Sequence, residues 1–496
     1  MLDTKQPARQ GEPQFGHRKL LIGGKFVEAV DGSTFETRNP ANDELLATVA
    51  RGAAADIQLA VAAARKAFDG PWRKTKPVER QRIILKFADL VEQHFEELAM
   101  LDTLDMGAPI AMTRGRKTRA VGQIRFYAGL AAMIEGRAVQ NSIPGNFLTY
   151  TVREPVGVVG AIIPWNAPIM SCIWKIGPVL ATGCTCVLKP AEQAPLLALR
   201  LGELLLEAGV PEGVVNVVPG FGEAGAALVD HQGVDKIAFT GSHVTGQAIV
   251  AGSRGNLKRL SLELGGKSPD IVFADADLDK AVPIAGMGVF ANAGQICSAG
   301  TRVMVQRPVY EEFIARVREF SKGLRVGAGS DPDTQIGPLV SSEQLERVQH
   351  YSKIGSQEGA RAVIGGNRLT SGDLGKGYFF EPTVFADVRN DMRIAQEEIF
   401  GPVMSAIPFD TEEEALEIAN DTIFGLGGGV WTRDVGRAHR MAHGIRTGTV
   451  WVNSYAFLDP AVPFGGFKMS GYGRESGAEH LDAYLETKAV IMDIGQ

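Results

Sequence analysis

The sequence predicts an α/β protein with a doubly wound parallel sheet and at least two domains. From Val156 onward, short β-branched runs closed by Pro or Gly alternate with segments that can hold helices. This order is typical of right-handed βαβ crossovers, which build parallel sheets. A second stretch of the same kind begins after Gly266. The 496 residues also exceed what one ordinary core accommodates, so more than one domain is expected.

The predicted elements follow in chain order. Amphipathic patterns predict helices at Asp56–Phe68 and Glu79–Ala99, and the residues ahead of Leu20 are interpreted as a short disordered tail. The predicted strands are VGVVGAII (156–163), CTCVLKP (184–190), GVVNVVP (213–219), DKIAFTG (235–241), PDIVFA (269–274) and TRVMVQ (301–306). Further helices are predicted at Tyr310–Leu324, Ser342–Ile354 and Thr411–Ala419.

Two strand-like segments have no obvious partner nearby in the sequence. They are NFLTYTVR (146–153) and the C-terminal AVIM (489–492). Isolated strands of this kind often pair with each other or with a second subunit.

Composition and charge narrow the classes of function. The hydrophobic share is 45%, the charged share is 22% and mean hydropathy is near zero, as in soluble globular proteins. A net charge of −6 without a Lys/Arg block argues against nucleic acid or an anionic membrane as the main partner. The N-terminus has no apolar signal-peptide core, and no apolar run reaches the ~18 residues of a membrane span. A cytoplasmic protein is therefore expected.

Four cysteines in so long a chain exclude a disulfide scaffold and suit a reducing compartment. Cys184 and Cys186 resemble half of a zinc site, but no second pair follows, so buried thiols are the favoured interpretation. His439 and His443 lie four residues apart without a third ligand, and surface histidines are favoured there. No metal site is predicted.

Three segments are candidates for binding a nucleotide. In FTGSHVTG (239–246) Ser242 opens a helix whose free N–H groups suit a diphosphate, although a plain Ser-capped helix explains the pattern equally well. Gly220, Gly222 and Gly225 form a literal G-x-G-x-x-G after a strand, but without the acidic residue of the usual fingerprint. In KPAE, Glu192 follows a strand, where it could bind the ribose hydroxyls of NAD and repel the 2′-phosphate of NADP. A solvated Glu in a first helical turn is the alternative.

Two further segments could carry chemistry. Cys297, in GQICSAGTR (294–302), is flanked by small residues near a predicted helix start, and both features favour an accessible thiolate. An isolated cysteine is nevertheless more often an inert buried residue. Glu263, in ELGGKSP (263–269), places a carboxylate before two glycines at the predicted domain junction, and by itself it is only suggestive.

Taken together, these segments resemble the aldehyde dehydrogenase superfamily. The resemblance runs from about Leu21 to Ile491 and includes, in the family's order, NPANDELLATVA, PWNAPI, KPAEQAPL, FTGSHVTG, ELGGKSP, GQICSAGTR, EEIFGPV and PFGGFKMSGYGRE. It implies an NAD-dependent, non-acylating enzyme that oxidises an aldehyde to the carboxylic acid. It also implies a Rossmann-type parallel-sheet cofactor domain, an α/β catalytic domain and a small β oligomerisation arm.

The resemblance implies catalytic roles that spacing alone does not. Cys297 matches the family nucleophile, which forms a thiohemiacetal and then a thioester. The side-chain amide of Asn166 and the backbone N–H of Cys297 match the oxyanion hole. Glu263 matches the base that activates water to hydrolyse the thioester. Lys175 and Glu475 match positions near a proton route.

The resemblance also implies NAD as the cofactor, with NADP less favoured because of Glu192. The implied cofactor contacts are Ile163, Pro164, Trp165, Lys189, Glu192, Gly222, Phe239, Gly241, Ser242, Gly246, Leu264, Glu398 and Phe400. Family position places four residues in the substrate funnel, namely Met170, Trp174, Phe457 and Phe464, and plain core packing is the alternative. These side chains favour an apolar or aromatic aldehyde as the small-molecule substrate.

The implied cofactor domain comprises residues 1–134 and 156–265, and the implied catalytic domain comprises 266–470. Residues 135–155 and 471–496 would form the arm, so a homodimer or homotetramer is expected. The chain departs from common members at Gly427–Gly429, where alanines are usual, and the glycines are expected to loosen a strand.

Three other functions stay open from the sequence. A CoA-acylating semialdehyde dehydrogenase would use a thiol in place of water, and Glu263 argues against it. A non-redox role, as a thiol esterase or a structural protein, would not explain the cofactor segments. A protein that only binds a nucleotide would not explain the other half of the chain.

Overall fold

The chain folds into an α/β architecture, as the sequence predicts, in a computed structural model that describes residues 14–495. The strands are β1 His17–Arg18, β2 Leu20–Ile22, β3 Lys25–Val27, β4 Thr34–Arg38, β5 Leu45–Ala50, β6 Phe147–Pro155, β7 Val158–Ile162, β8 Thr185–Lys189, β9 Val215–Val217, β10 Lys236–Thr240, β11 Arg259–Glu263, β12 Pro269–Val272, β13 Arg302–Gln306, β14 Arg361–Ile364, β15 Thr383–Ala386, β16 Val403–Phe409, β17 Gly427–Trp431, β18 Thr449–Val452, β19 Gly471–Tyr472 and β20 Leu485–Asp493.

The helices cover both sheets and the surface between them. The α-helices are α1 Ala54–Asp69, α2 Pro77–Gln93, α3 Phe95–Met106, α4 Ile110–Gly115, α5 Lys117–Ala131, α6 Pro168–Thr182, α7 Leu196–Ala208, α8 Gly222–Asp230, α9 His243–Gly252, α10 Leu278–Phe290, α11 Tyr310–Lys322, α12 Ser342–Gln357, α13 Arg393–Gln396, α14 Glu412–Asn420 and α15 Val435–Gly444. Short 3₁₀ turns lie at Trp72–Lys74, Ser253–Gly255, Ala291–Gly294, Arg307–Val309, Gly372–Lys376, Lys468–Ser470 and Ala478–Tyr484.

The first large sheet has the strand order β19-β11-β10-β7-β8-β9-β2-β3 in the described part of the chain. The strands from β11 to β9 run parallel. From β7 the chain adds β8 and β9 on one side, and then β10 and β11 on the other. This reversal opens a crevice at the carboxyl ends of the central strands, which is where open α/β sheets bind ligands.

The second large sheet has the order β14-β15-β16-β13-β12-β17-β18, with β14 as an antiparallel edge strand. Residues 264–268 connect β11 of the first sheet directly to β12 of the second. The carboxyl edge of the first sheet therefore meets the amino edge of the second. Cys297 and Glu398 lie shortly before β13 and β16, so they belong to this same amino edge.

The predicted single helix over Glu79–Ala99 is wrong. α2 ends at Gln93 and α3 begins at Phe95, and His94 between them leaves the helical conformation with φ −95° and ψ 12°. Both helices bury apolar side chains in the same core. The apolar periodicity therefore continues across the break and conceals it.

The predicted disordered tail ahead of Leu20 is wrong for its described part. Phe15 is buried, and β1 pairs with β5 through His17 and Arg18. One buried phenylalanine in a polar segment is a weak sequence signal, which explains the error. The rest of the predicted tail, residues 1–13, lies outside the described residues.

The two strand-like segments that lack a partner nearby in the sequence pair with each other. This is one of the two predictions for them, the other being pairing with a second subunit. β6 and β20 form a two-stranded antiparallel sheet along their whole lengths. Only the end of the segment 471–496 contributes to this arm, because β19 belongs to the first large sheet. Ile491 and Met492 are exposed on the arm.

The three glycines of β17 make room for neighbouring side chains instead of loosening the strand. The whole strand is buried. A Cβ atom on Gly427 would lie 2.8 Å from the ring of Trp451, and one on Gly429 would collide with Asp270 Oδ1 and lie 2.7 Å from the ring of Tyr455. The expected loosening is thus wrong, because two aromatic rings and a carboxylate occupy the space that side chains on the strand would fill.

No helix in residues 14–495 combines the length and apolar character that crossing a bilayer requires.

Candidate active site

A cavity of about 640 Å³ lies at the carboxyl ends of β7, β8 and β10. The segments that follow these strands form its walls, because parallel strands present their carboxyl ends at one edge of a sheet. The structure brings most of the predicted cofactor contacts into this cavity: Ile163, Pro164, Trp165, Lys189, Glu192, Gly222, Phe239, Gly241 and Ser242.

Glu192 is half-buried in the wall of this cavity. Its Oε2 lies 3.6 Å from Lys189 Nζ, and its Oε1 accepts a 3.3 Å hydrogen bond from Gln193 Nε2. Burial lowers the pKa of Lys189, and the nearby Glu192 carboxylate opposes that change. An acceptor and a donor side by side can bind a diol, because each hydroxyl both donates and accepts hydrogen bonds.

Ser242 caps the N-terminus of α9. Its hydroxyl accepts a 3.1 Å hydrogen bond from the Thr245 amide, so the Ser-cap interpretation is correct at this position. The capped helix end lines the cavity, where the remaining N–H groups and the helix dipole favour an anion. Gly246 and Leu264 line neither this cavity nor its neighbour. A Cβ atom on Gly246 would lie 2.8 Å from the Leu264 side chain, so the glycine makes room for that side chain, and the cofactor role of the two residues stays a prediction.

A second cavity, of about 580 Å³, adjoins the first and contains three of the five predicted catalytic residues, whereas Lys175 and Glu475 are not in its walls. Pro164, Trp165, Gly241 and Ser242 line both cavities. The second cavity also contains Asn166, Glu263, Cys297, Glu398 and Phe400. The joined cavities suit an elongated ligand with a diol near Glu192, an anionic centre at the start of α9 and a ring near Phe400.

The segment with Glu398 and Phe400 is held by side chains of α12 that the sequence analysis does not single out. Gln344 Nε2 donates a 2.7 Å hydrogen bond to the carbonyl of Phe400, and Arg347 donates to the carbonyl of Glu398. Glu398 Oε1 accepts a 3.1 Å hydrogen bond from the Gly266 amide. Burial raises the pKa of Glu398 to about 7. Gln344 and Arg347 lie three residues apart on a predicted helix, and this spacing was the sequence signal from which their contact with the segment could have been predicted.

Cys297 follows a backbone segment with an unusual conformation. Residues 292–294 have positive φ in succession, at 54°, 54° and 74°. Such strain persists only where the surroundings hold it. Gln295 provides the restraint, because its side chain donates to the Asn292 carbonyl at 3.0 Å and accepts from the Val340 amide at 2.9 Å. The thiol therefore extends from a fixed turn.

Asn166 is bonded to the same turn. Its Nδ2 donates a 2.9 Å hydrogen bond to the Gln295 carbonyl, and its own carbonyl accepts a 3.1 Å hydrogen bond from Asn292 Nδ2. An amide nitrogen carries two donors, so one is left for an oxygen atom of a ligand beside Cys297. Asn292 is a positioning residue that the sequence analysis missed, and no motif marked it.

The thiol of Cys297 lies among acids and not at a helix start. Turn residues surround it between the 3₁₀ turn 291–294 and β13, so the predicted helix start is wrong. Burial and the carboxylates of Glu398, Glu263 and Glu475 raise the pKa of the thiol to about 12. The prediction that the surroundings of Cys297 favour the thiolate is therefore wrong. With a pKa of about 12, the thiol is protonated near neutral pH.

Glu263, the last residue of β11, is almost fully buried. Neither of its carboxylate oxygens has a hydrogen-bond partner among residues 14–495. Burial and the charge of Glu475 raise the pKa of Glu263 well above its ordinary value, whereas Lys175 and Arg474 act in the opposite direction. Lys175 Nζ forms a buried ion pair with Glu475. A carboxyl group with free oxygens and a raised pKa can hold a water molecule and accept a proton from it.

The four predicted substrate residues have different surroundings. Met170 and Phe464 are buried in the core, and Trp174 is buried beside them. The rings of Trp174 and Phe464 stack, with centroids 6.0 Å apart and planes 13° from parallel. Phe457 is 71% exposed. The two cavities described above contain none of the four in their walls, so the substrate role stays a prediction.

The thiols and imidazoles considered as metal ligands lie apart. Cys184 and Cys186 are buried in or beside β8, and Cys184 Sγ donates to the Tyr484 carbonyl at 3.4 Å. His439 and His443 are exposed on α15. Across the described residues no three His, Cys, Asp or Glu side chains gather as a metal-binding group.

Comparisons with known proteins give one consistent result. A sequence model of the aldehyde dehydrogenase family matches residues 26–490. The DhaS protein of Bacillus subtilis is 52% identical over 482 residues, covering 97% of this chain and 96% of that protein. An aldehyde dehydrogenase of Aspergillus niger is 47% identical over 478 residues, covering 96% and 95%. The NAD+ complex structure of aldehyde dehydrogenase from Bacillus cereus is similar with a TM-score of 0.94 and 49% identity, covering 96% and 97%.

Proposed function

This chain belongs to the aldehyde dehydrogenase family, and from that premise we propose that it oxidises an aldehyde to the carboxylic acid with NAD and water. One observation carries the proposal. A single cavity brings together the thiol of Cys297, the side-chain amide of Asn166 and the carboxyl group of Glu263. The stacked rings of Trp174 and Phe464 belong to the hydrophobic core against which Cys297 packs, and they favour an apolar or aromatic substrate body.

NAD is the cofactor that the joined cavities fit best. Glu192 and Lys189 suit a ribose diol, the N-terminus of α9 suits a diphosphate, and Glu398 and Phe400 suit the ribose and ring nearer the thiol. The Bacillus cereus relative forms a complex with NAD+. When bound, NAD supplies the acceptor for the hydride that leaves the substrate. NADP is the less favoured cofactor, because its 2′-phosphate would meet the Glu192 carboxylate.

In the first half-reaction, the Cys297 sulfur attacks the aldehyde carbon and forms a thiohemiacetal. The free donor of Asn166 and the backbone N–H of Cys297 stabilise the developing oxyanion, an effect worth roughly 3–4 kcal/mol per donor in other enzymes. The thiol must release its proton to solvent as the S–C bond forms, so its raised pKa makes this step slower at low pH. Loss of a hydride from the oxyanion of the thiohemiacetal then leaves a thioester on Cys297.

In the second half-reaction, Glu263 accepts a proton from water, which attacks the thioester carbon. The bond between sulfur and the acyl group breaks, the acid is released and Cys297 regains its proton. The buried ion pair Lys175–Glu475 influences the pKa of Glu263, which Glu475 raises and Lys175 lowers. The pair also offers a path for that proton. The buried carboxyl group in the cavity favours water, and not the thiol of CoA, as the acyl acceptor.

Membership of the family also supports an assignment of domains along the chain. Residues 1–134 and 156–265 are assigned to the cofactor domain, and 266–470 to the catalytic domain, because the site lies where the two large sheets meet. The paired strands β6 and β20 are assigned to the contact between subunits of a homodimer or homotetramer.

The test is an aldehyde panel with purified protein and NAD, followed by NADH absorbance. We expect NADH formation with apolar and aromatic aldehydes, and its loss in Cys297→Ala. The variant should retain its fold and its affinity for NAD, measured by circular dichroism and by calorimetry. Turnover within tenfold of wild type in Cys297→Ala would refute the assigned nucleophile.

A further inference from the structure

Arg119, on the first turn of α5, lies beside the proposed reaction site. Its guanidinium carbon is 5.4 Å from the centroid of the Trp174 ring. The side chain is partly buried, and burial lowers the pKa of Arg119 to about 10, while the Cys297 thiolate form would raise it. The cation is therefore close enough to Cys297 for the two charges to interact.

Arg119 lacks the acidic partner that its neighbours have. On the same helix or just before it, Arg116 forms an ion pair with Asp102 at 2.7 Å, and Arg125 forms ion pairs at the surface. Arg119 forms neither an ion pair nor a side-chain hydrogen bond with any residue of the described chain. The side chain is partly buried, and no Arg119 nitrogen is among the buried atoms that lack a partner, so the guanidinium group can still bind an anion that reaches it.

The aromatic surface under Arg119 is held in a fixed orientation. Trp174 Nε1 donates a 2.9 Å hydrogen bond to Ser476 Oγ, which donates a 3.0 Å hydrogen bond to Gln123 Oε1. Gln123 lies one turn after Arg119 on α5, so the same helix positions both the cation and the indole plane. Phe464 stacks on Trp174 and prolongs the apolar surface.

Cys297 borders the same hydrophobic core as this aromatic surface. Cys297 and Leu458 are partly buried and pack against the core cluster that contains Trp174 and Phe464. A molecule with its carbonyl group at the Cys297 sulfur could thus lay an apolar body along the aromatic rings. Its far end would then meet the free guanidinium group of Arg119.

We propose that Arg119 selects the substrate by binding a carboxylate at the end of the aldehyde remote from the carbonyl group. The inference rests on the proposed aldehyde oxidation and narrows its substrate to an oxo acid with an apolar or aromatic body. The planar guanidinium fork binds a carboxylate through two parallel hydrogen bonds. The missing ion-pair partner is supplied by the substrate.

Packing of Arg119 on Trp174 by cation–π attraction alone is the competing explanation. The two explanations differ in their effect on selectivity. A packing role predicts equal losses for charged and neutral aldehydes, whereas a binding role predicts a loss confined to the charged ones.

The experiment compares 4-carboxybenzaldehyde with its methyl ester, and 9-oxononanoate with its methyl ester, as rigid and flexible pairs. We expect the ratio of kcat/KM for acid over ester to fall by about tenfold or more in Arg119→Met for at least one pair, through KM. Arg119→Lys should restore part of the ratio, and added salt should lower it in wild type. Arg125→Met, which removes a surface charge from the same helix, is the matched control.

An unchanged ratio in Arg119→Met, for both pairs, overturns the inference while ester oxidation still supports the proposed function. Should no aldehyde be oxidised, the proposed function fails, and calorimetry then decides on Arg119. Binding of 4-carboxybenzaldehyde to Cys297→Ala with NAD should be about tenfold tighter than to the double variant with Arg119→Met. Equal affinities would overturn the inference.

Discussion

At the scale of single residues, the surroundings of Cys297 oppose ionisation of its thiol. Burial and three carboxylates raise the pKa to about 12, so the thiolate fraction stays small between pH 6 and 10. We predict that iodoacetamide alkylates Cys297 about tenfold faster for each added pH unit over that range, because the thiolate is the reactive form. Peptide mass spectrometry measures the rate, and Cys297→Ala gives the background from the buried cysteines. A plateau below pH 9 would contradict the raised pKa.

Glu192 provides a second prediction at this scale. Its carboxylate would repel the 2′-phosphate of NADP and lose its hydrogen bonds to the ribose hydroxyls, together ~1–3 kcal/mol. We expect kcat/KM to favour NAD by about 5–150-fold, and Glu192→Gln to reduce that preference because it removes the charge and keeps the size.

Glu223→Gln is the control for Glu192→Gln, because Glu223 lies on α8 in a surface ion pair with Arg51. It should keep the wild-type preference. Equal or better kcat/KM with NADP in wild type would show that Glu192 does not discriminate between the cofactors.

At the scale of elements, the packing of β17 is connected to the active site through Tyr455. Gly429 leaves space for the Asp270 carboxylate and the ring of Tyr455. The Tyr455 hydroxyl donates a 2.9 Å hydrogen bond to the carbonyl of Ser298, next to Cys297. We predict that Gly429→Ala lowers the free energy of unfolding by about 1–3 kcal/mol, since the added methyl group overpacks a buried strand. Thermal and denaturant unfolding measure the change.

Gly428→Ala is the matched control for this prediction. A Cβ atom there would meet the Ile445 side chain at 3.3 Å, a contact that a small shift relieves. Its unfolding free energy should stay closer to wild type. If Gly429→Ala proves as stable as Gly428→Ala, the close approach of Tyr455 does not constrain the strand.

The elements that the sequence predicted well are those with a local signal. Strands such as β7 and β10 are β-branched runs with a turn residue at each end, so their existence follows from neighbours in the chain. The break at His94 has no such signal, because the apolar period continues through it. The turn around Cys297 likewise depends on Gln295 and its distant partner Val340, which no local pattern shows.

At the scale of the whole molecule, the arm of β6 and β20 exposes apolar side chains. Residues 137–139 also bond to β6, and the resulting small sheet still exposes Ile491 and Met492, which a second subunit could cover. We predict that wild type is a dimer or tetramer by light scattering, and that Ile491→Glu shifts it toward smaller species. Leu59→Glu, at an exposed position on α1, is the control. An unchanged mass for Ile491→Glu would remove the arm from the subunit contact.

The site as a whole could be predicted from the sequence only through the resemblance. Cys297, Glu263 and Asn166 are separated by long stretches of chain, and each alone had an ordinary structural explanation. The meeting of the two large sheets places them in one cavity. The raised pKa of Cys297 and the unpaired guanidinium of Arg119 arise from burial and from neighbours across the fold, so no motif could reveal them.

The proposed mechanism has Cys297 form a thioester that water hydrolyses with the help of Glu263. The decisive experiment is rapid mixing of Glu263→Gln with NAD and a reactive aldehyde, with NADH absorbance and intact-protein mass followed together. We predict at most about one NADH per active site, an acyl adduct on Cys297, and steady turnover reduced by roughly 10²–10⁴. A small external thiol should restore part of that turnover by accepting the acyl group. Steady turnover at the wild-type rate, without an adduct, would refute this role of Glu263.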